Sequence, residues 1–523
     1  MNTTEFLMIS SSIAPDRPAI IFEGKKHTYG HLNERVNRLA NALIGLGVNK
    51  GDMVAILQVN CSQYVEVYYA VARIGAIFIP LNFRAKADEL EYMINNCEAK
   101  VLFVGDRYCD IIHGIRSKLP KLQHLICLEV GKKEGMLSYE ELLAKASPEE
   151  VFTEIDDNDV TILMYTAGTT GRPKGVPLTH NSFSTYVLNN VSPCDVETEE
   201  TNLLTVPLYH VAGIQALMAA TYGGRTLVMM KQFEVKDWMK TVEREKANRA
   251  MLVPTMLKRV IDDPDFGKFD LSSLKVITYG AAPMPFEVIK KAIEVFPGVM
   301  FINAFGQTET ASTITSLGPE DHVLSGTEEE KAKKLKRLQS SIGKAMGDVQ
   351  VKIVDEHGKE LPWGEVGEIL AKGPRVMTGY WKDPEKTAKA LTKDGWLHTG
   401  DKGHMDEEGY IYLAGRGDDM IIRGGENISP EEVENALYAH AAVDECAVIG
   451  IPDSEWGQQP KAVVVLKKGH KCTREELEEF CRQKLSSFKR PRYVCFVDEL
   501  PRTSTGKVLK RVLREQHGKA DNS

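Results

Sequence analysis

Thr166-Ala167-Gly168-Thr169-Thr170-Gly171-Arg172-Pro173-Lys174-Gly175 gathers in ten residues the groups that can hold a phosphate chain. Its three threonine hydroxyls donate hydrogen bonds, its glycines let backbone amides turn toward phosphate oxygens, and Lys174 adds a positive charge. The run follows Thr161 to Tyr165, an apolar stretch that reads as a strand. The spacing is not G-x-x-x-x-G-K-[ST], so this is not a Walker A loop. The other chemically capable side chains stand apart. Taken singly, His210 reads as a structural histidine in apolar sequence, and Glu309, Asp401, Arg416 and Lys507 read as solvated charges.

The elements that must position these residues alternate. Leu32, Val36, Leu39, Ala40 and Leu43 share one helical face, and Gly45 and Gly47 close that helix. Met53 to Val59 reads as a strand, Gln63 to Ile74 as a helix and Ala76 to Leu81 as the next strand. A helix near Asp88 to Asn96 and strands at Val101 to Val104 and Leu125 to Leu128 continue the rhythm. Such alternation predicts parallel sheets covered by helices. Thr327 to Arg337, a run of mixed charge, reads as a solvated helix or loop. Beyond Asp418 the pattern becomes a compact α+β unit. Ser429-Pro430-Glu431-Glu432 and Thr473-Arg474-Glu475-Glu476 are written as capping boxes, with strands near Cys446 to Ile451, Lys461 to Leu466 and Tyr493 to Val497. Two units are expected, a body over 1–416 and a smaller one over 417–523.

Composition narrows the function classes. A chain of 523 residues with 43% hydrophobic content can bury large cores, and its net charge of −8 disfavours nucleic acid as a partner. Nine cysteines without a C-x-x-C pair fit a reducing cytoplasm better than a disulfide framework or a zinc site. No signal peptide is expected, and no apolar run approaches the roughly 20 residues that span a bilayer. At most a weak peripheral membrane contact is expected. The oligomeric state is open, with a homodimer as one option.

Read together and in order, the motifs resemble those of the adenylate-forming superfamily of acyl-CoA synthetases, 4-coumarate–CoA ligases, luciferases and peptide-synthetase adenylation domains, closest to the fatty-acid–CoA ligases. The loop from Thr166 to Gly175 looks like its phosphate loop. Pro207-Leu208-Tyr209-His210-Val211-Ala212-Gly213 resembles its substrate gate, which implies that His210 and Val211 line the acyl site. Tyr279-Gly280-Ala281-Ala282-Pro283 resembles the adenine-contacting turn, whose Gly280 and Ala282 also wall the acyl pocket. Asn303-Ala304-Phe305-Gly306-Gln307-Thr308-Glu309 resembles the nucleotide segment, with Gly306 beside the acyl group, Thr308 on phosphate and Glu309 on magnesium. Asp401 would receive the ribose hydroxyls and Arg416 the ribose or phosphate. Gly424 and Gly425, in Arg423-Gly424-Gly425-Glu426-Asn427, would leave room for the pantetheine arm of coenzyme A. Asp418 falls where the family has its hinge, and Leu500-Pro501-Arg502-Thr503-Ser504-Thr505-Gly506-Lys507 carries the lysine that reaches the α-phosphate. Some relatives have lysine at the Gly424 position. Lys489, Arg490 and Arg492 form a basic cluster that reads first as a solvated face and second as a binder of coenzyme A phosphates.

The resemblance implies a fold and a reaction. The fold is α/β with an α+β lid: two αβαβα-type subdomains, a distorted β-barrel and a mobile C-terminal domain. ATP, Mg²⁺ and coenzyme A are the implied co-substrates and cofactor, with a carboxylic acid as the substrate. The carboxylate attacks the α-phosphate, pyrophosphate leaves, and the coenzyme A thiol then takes the acyl group from acyl-AMP. Small residues at Gly280, Ala282, Ala304 and Gly306 with aliphatic Val211, Ile214 and Leu217 favour a medium- or long-chain fatty acid, with an aromatic or alicyclic acid or a non-CoA acceptor as alternatives.

Overall fold

Alternating apolar strands and amphipathic helices stack into five layers, because each sheet buries both faces and each helix buries one stripe. The computed structural model describes residues 1–129, 134–166, 172–417, 419–424, 426–503 and 506–520, with the side chain of residue 427 excepted. Gly168, Thr169, Thr170, Gly171, Asp418 and Gly425 therefore lie outside the described residues.

The first sheet has seven strands, and its parallel core runs Leu137–Ser138, His124–Cys127, Val101–Val104, Met53–Leu57, Ile77–Pro80 and Val160–Thr166, with Lys174–Thr179 antiparallel at the edge. Helices Ala87–Cys97 and Cys109–Ile115 cover its outer face through Leu90, Ile94, Ile112 and Ile115. Helices Tyr29–Gly45, Ser62–Arg73 and Val211–Tyr222 form the central layer, sharing one core with Ile20, Leu204 and Leu227 of the second sheet. The stripe Leu32, Val36, Leu39, Ala40 and Leu43 is wholly buried there, as its spacing predicts. Helices Val235–Glu245, Pro254–Ile261 and Phe286–Val295 close the far side.

The second sheet has thirteen strands. Parallel strands Thr226–Met229, Thr201–Leu204, Arg249–Leu252, Val276–Gly280 and Met300–Gln307 lie at its centre. The region of the expected barrel follows without a break, as antiparallel strands Ser312–Leu317, Ser341–Ala345, Ile411–Arg416, Leu397–Met405, Gly367–Lys372 and Gln350–Val354. The mixed-charge run is the helix Glu328–Ser340, capped by Thr327 and Glu330, with only Leu338 buried. No helix among the described residues is long and apolar enough to cross a membrane.

A third sheet holds only residues from Ile421 onward, with separate cores on its two faces. Thr473 and Glu476 form the expected reciprocal cap of helix Arg474–Lys484. At Pro430–Tyr438 the expectation is corrected in part. Ser429 Oγ accepts from Glu432 N, but its hydroxyl donates to Glu431, so the cap is one-sided among the described bonds. Among the described residues, few polar contacts join this unit to the body. Lys258 pairs with Asp444, Asn435 Nδ2 donates to Gln339 O at 3.1 Å, and a Cβ on Gly506 would lie 3.0 Å from Thr255 Oγ1.

Candidate active site

Thr166 and Lys174 are direct partners in the antiparallel pair that ends the first sheet. Lys174 Nζ is 3.5 Å from Tyr380 Oη and 4.6 Å from that ring's centre. Tyr380 Oη donates to Glu309 Oε1 at 2.9 Å. Glu309 sits on the single 3₁₀ turn Thr308–Thr310 that follows Met300–Gln307, and its carbonyl accepts Met377 N at 2.8 Å. The segment 375–381 thus stitches the two sheets together, since Trp381 N also donates to Gly175 O at 2.8 Å.

The residues around the turn at Gly280 are shaped by close backbone approach. A Cβ on Gly280 would lie 2.1 Å from Ala304 O, and one on Gly306 1.7 Å from Ser312 O. Side chains are therefore excluded at both positions. Ala281 has φ +66, a left-handed conformation that costs a non-glycine residue and aims the turn between the two strand ends. Asn303, Ala304, Phe305, Gly306 and Gln307 are part-exposed although their strand is paired on both sides, and Gln307 Nε2 is buried with no hydrogen-bond partner among the described residues. Ala282 is part-exposed beside them, whereas Val211 is buried in the central core.

His210 caps helix Val211–Tyr222, its Nδ1 accepting from Ala212 N at 3.4 Å. Desolvation, then the charge of Lys507, lowers its pKa to about 4. The ring is neutral at physiological pH, and with Nδ1 as acceptor its proton is on Nε2, ready to donate.

Lys507 comes to the same place from the other unit. Its loop is held by Thr503, whose N donates to Lys507 O at 2.7 Å and whose hydroxyl accepts Lys507 N at 3.0 Å. Desolvation and then Arg416 lower the Lys507 pKa, while Asp401 and Glu309 oppose them. Asp401 and Arg416 are register partners on adjacent strands, with Arg416 Nε 3.3 Å from Asp401 Oδ1. Burial raises the Asp401 pKa against the pull of Arg416 and Lys507. Glu309, Asp401, Arg416, Lys507 and His210 thus converge, drawn from three separate stretches of the body and from the C-terminal unit.

Gly424 does not join them. It has φ +59, its N donates to Trp456 O at 2.8 Å, and a Cβ would strike Trp456 Cε3 at 2.7 Å. Arg423 lies over the Trp456 ring and, with Arg474, Arg482, Arg490 and Arg492, lines a cavity of about 310 Å³. Lys489 is instead paired with Glu432. Two of the three residues read first as a solvated face therefore belong to a cationic hollow.

Sequence reasoning missed Tyr380, the hub between Lys174 and Glu309. Gly379, at φ +149, turns the chain just before it, and Thr387 Oγ1 accepts its N at 2.8 Å. A Gly-Tyr pair ahead of Pro384 marks a turn, and nothing local to it says that the ring lies against a carboxylate 71 residues away.

Known proteins agree with this architecture. The sequence profile described as AMP-binding enzyme matches residues 10–381, and that described as AMP-binding enzyme C-terminal domain matches 432–507. A feruloyl-CoA synthase from Amycolatopsis sp is 36% identical, covering 97% of this chain and 97% of the relative. A long-chain-fatty-acid–CoA ligase from Bacillus subtilis (strain 168) is 36% identical over 97% of this chain and 93% of its own length. The crystal structure of an anthranilate CoA ligase in complex with anthranoyl-AMP superposes with a TM-score of 0.89 at 30% identity, over 99% of this chain and 97% of that one.

Proposed function

The chain belongs to the AMP-binding enzyme family and is an AMP-forming acyl-CoA ligase, and from that premise we propose that it activates a medium- or long-chain fatty acid. The convergence of Lys507 with Glu309, Asp401 and His210 carries the assignment of roles. Lys174, with Thr166 and the loop that follows it, grips the β- and γ-phosphates, and Thr308 adds a hydroxyl. Asn303 through Gln307 and the turn Gly280-Ala281-Ala282 receive the adenine, and Asp401 and Arg416 the ribose. Glu309 fits the magnesium of the family, because it presents a carboxylate at the phosphate end of the site with Lys174 and Tyr380 beside it. That ion, when bound, offsets phosphate charge and orients the chain of phosphates.

His210 Nε2 donates to the substrate carboxylate and aims one oxygen at the α-phosphate. Two anions must meet there, and Lys507 supplies the positive charge that grows in value as charge builds on the pentavalent phosphorus. The second half-reaction needs a different face of the C-terminal unit. Asp418 is the proposed hinge, with the body ending at Arg416 and the lid spanning 417–523. Rotation would carry Lys507 out and bring Gly424 and Gly425 to the acyl-AMP. Val211, Gly280, Ala282 and Gly306 are the proposed acyl-pocket residues.

Support for an aliphatic acid comes from the long-chain relative. The second reading, an aromatic acid, is favoured by the equally similar feruloyl-CoA synthase. A panel of both acid classes with ATP and coenzyme A, read as AMP, pyrophosphate and acyl-CoA mass, decides between them. Turnover confined to aromatic acids would overturn the aliphatic proposal, and release of ADP and phosphate would overturn the reaction.

A further inference from the structure

Strands Val101–Val104 and His124–Cys127 are parallel neighbours, with Val104 opposite Cys127. The helix after the first, Cys109–Ile115, packs on the outer face, while the next helix after the second, Tyr139–Lys145, buries Tyr139 and Leu143 in the core of the central layer. Chain leaving two adjacent strands toward opposite faces opens a crevice at their carboxyl ends, the place where open α/β sheets hold ligands. The nucleotide site described above does not use this crevice.

What fills it is a donor set of a particular kind. Asp106, Cys109 and Cys127 present a carboxylate oxygen and two sulfurs that all lie within 4.8 Å of one another. Among the described residues this is the one group of three or more His, Cys, Asp or Glu side chains so placed. Cys127 Sγ is 3.6 Å from Asp106 Oδ1, and Cys109 Sγ is 3.8 Å from the thioether of Met136. Zinc bonds of about 2.3 Å to sulfur and about 2.0 Å to oxygen, set in a tetrahedron, give S···S edges near ~3.8 Å and S···O edges near ~3.5 Å. Both measured separations match those edges. Cys109 and Cys127 are 2% and 1% exposed, whereas Asp106 is exposed and gives an ion a way in. The surrounding frame is braced, since Glu129 accepts Asp106 N at 2.8 Å and Gln58 Nε2 at 2.6 Å. The spacing in sequence hides this group, which contains no C-x-x-C and draws on two different strand ends.

We propose that this crevice binds one thiophilic divalent cation, of which Zn²⁺ is the type, through Asp106, Cys109 and Cys127, with Met136 covering the fourth position. Binding replaces two S–H bonds by two sulfur–metal bonds and releases two protons to solvent, with no change in oxidation state. The ion would pin the two strand ends together at the rim of the first sheet.

Titration of the full-length protein with Cd²⁺, a spectroscopic stand-in for Zn²⁺, tests it. The expected result is one equivalent bound, an ultraviolet thiolate-to-cadmium band, and two thiols protected from alkylation. Cys109→Ser and Cys127→Ser should each abolish the band, while Cys472→Ser, outside the cluster, should keep it. Circular dichroism checks folding of each variant. Should either buried variant fail to fold, Asp106→Asn alters only an exposed side chain and should weaken Cd²⁺ binding by about 10-fold or more. Absence of stoichiometric binding, an unchanged band in Cys109→Ser and Cys127→Ser, or unchanged affinity in Asp106→Asn would overturn the proposal.

Discussion

The two faces of the C-terminal unit are held in different ways. The loop of Lys507 lies among groups contributed by the body, with Asp401, Glu309, Arg416 and His210 all acting on its charge or it on theirs. Gly424 lies against its own unit, its amide and its missing Cβ both engaged with Trp456. One face is wired into the nucleotide site and the other is stored. Under the proposed roles this is the adenylating arrangement, and lid is joined to body through contacts as slight as the Lys258–Asp444 pair and the Asn435–Gln339 bond. Slight contacts are what a unit needs if it must let go between half-reactions.

Removing the wired face should have the largest effect. Lys507→Ala is expected to slow acyl-AMP formation on the order of 10²–10³-fold, while thioester formation from supplied acyl-AMP stays near the parent rate. Equal loss of both steps, measured separately, would erase the distinction between the faces. Asp418→Pro should do the reverse, because a hinge must visit two backbone states and proline permits one. Thioester formation should fall about 10²-fold with adenylation retained; a selective loss of adenylation would show that the pivot is elsewhere.

The pH profiles sharpen the contrast. The Lys507 pKa is depressed, so as pH rises its charge is lost before that of an ordinary lysine. Adenylation should show an alkaline limb that thioesterification lacks and that Lys507→Ala removes. His210, at about 4, stays neutral from pH 6 to pH 8 and adds no limb there. A descending limb near pH 6.5 that vanishes in His210→Gln would contradict that.

Smaller effects lie at the edges. Tyr380→Phe deletes the donor to Glu309 and should raise the KM for MgATP about fivefold with little change in kcat, as expected for loss of about 1 kcal/mol. A collapse of kcat instead would give Tyr380 a part in the chemistry itself. Asp444→Ala removes a partly exposed pair worth ~0.2–1 kcal/mol, so adenylation should slow by less than about fivefold and thioesterification should not slow at all. Slowing of the second step would mean the pair matters to the fold rather than to closure.

Much of this was legible in the residues. The period-3.6 stripe of Leu32 to Leu43 and the apolar strands from Met53 to Val104 needed only burial to be read, because local pattern and tertiary context agree there. The threonine- and glycine-rich loop is read as a phosphate grip through its resemblance, and its residues 167–171 lie outside the described ones. What stayed hidden depends on distant pairings. Tyr380 meets Glu309 only after the two sheets are joined, and Arg423, Arg474 and Arg482 share one cavity with Arg490 and Arg492 only once the third sheet has formed. The one-sided cap at Ser429 turns on which of two adjacent glutamates its hydroxyl prefers, a choice that spacing leaves open.

The pairing of Asp401 with Arg416 has a mechanical consequence. Body strands run in register up to Arg416, and Gly417 N still donates to Gly400 O at 3.0 Å. A pivot at the next residue would put the ribose beside the axle, where a turning body sweeps the shortest arc. The nucleotide could then remain in one bearing through both strokes while the machinery around it changes, and acyl-AMP need never be handed from one site to another.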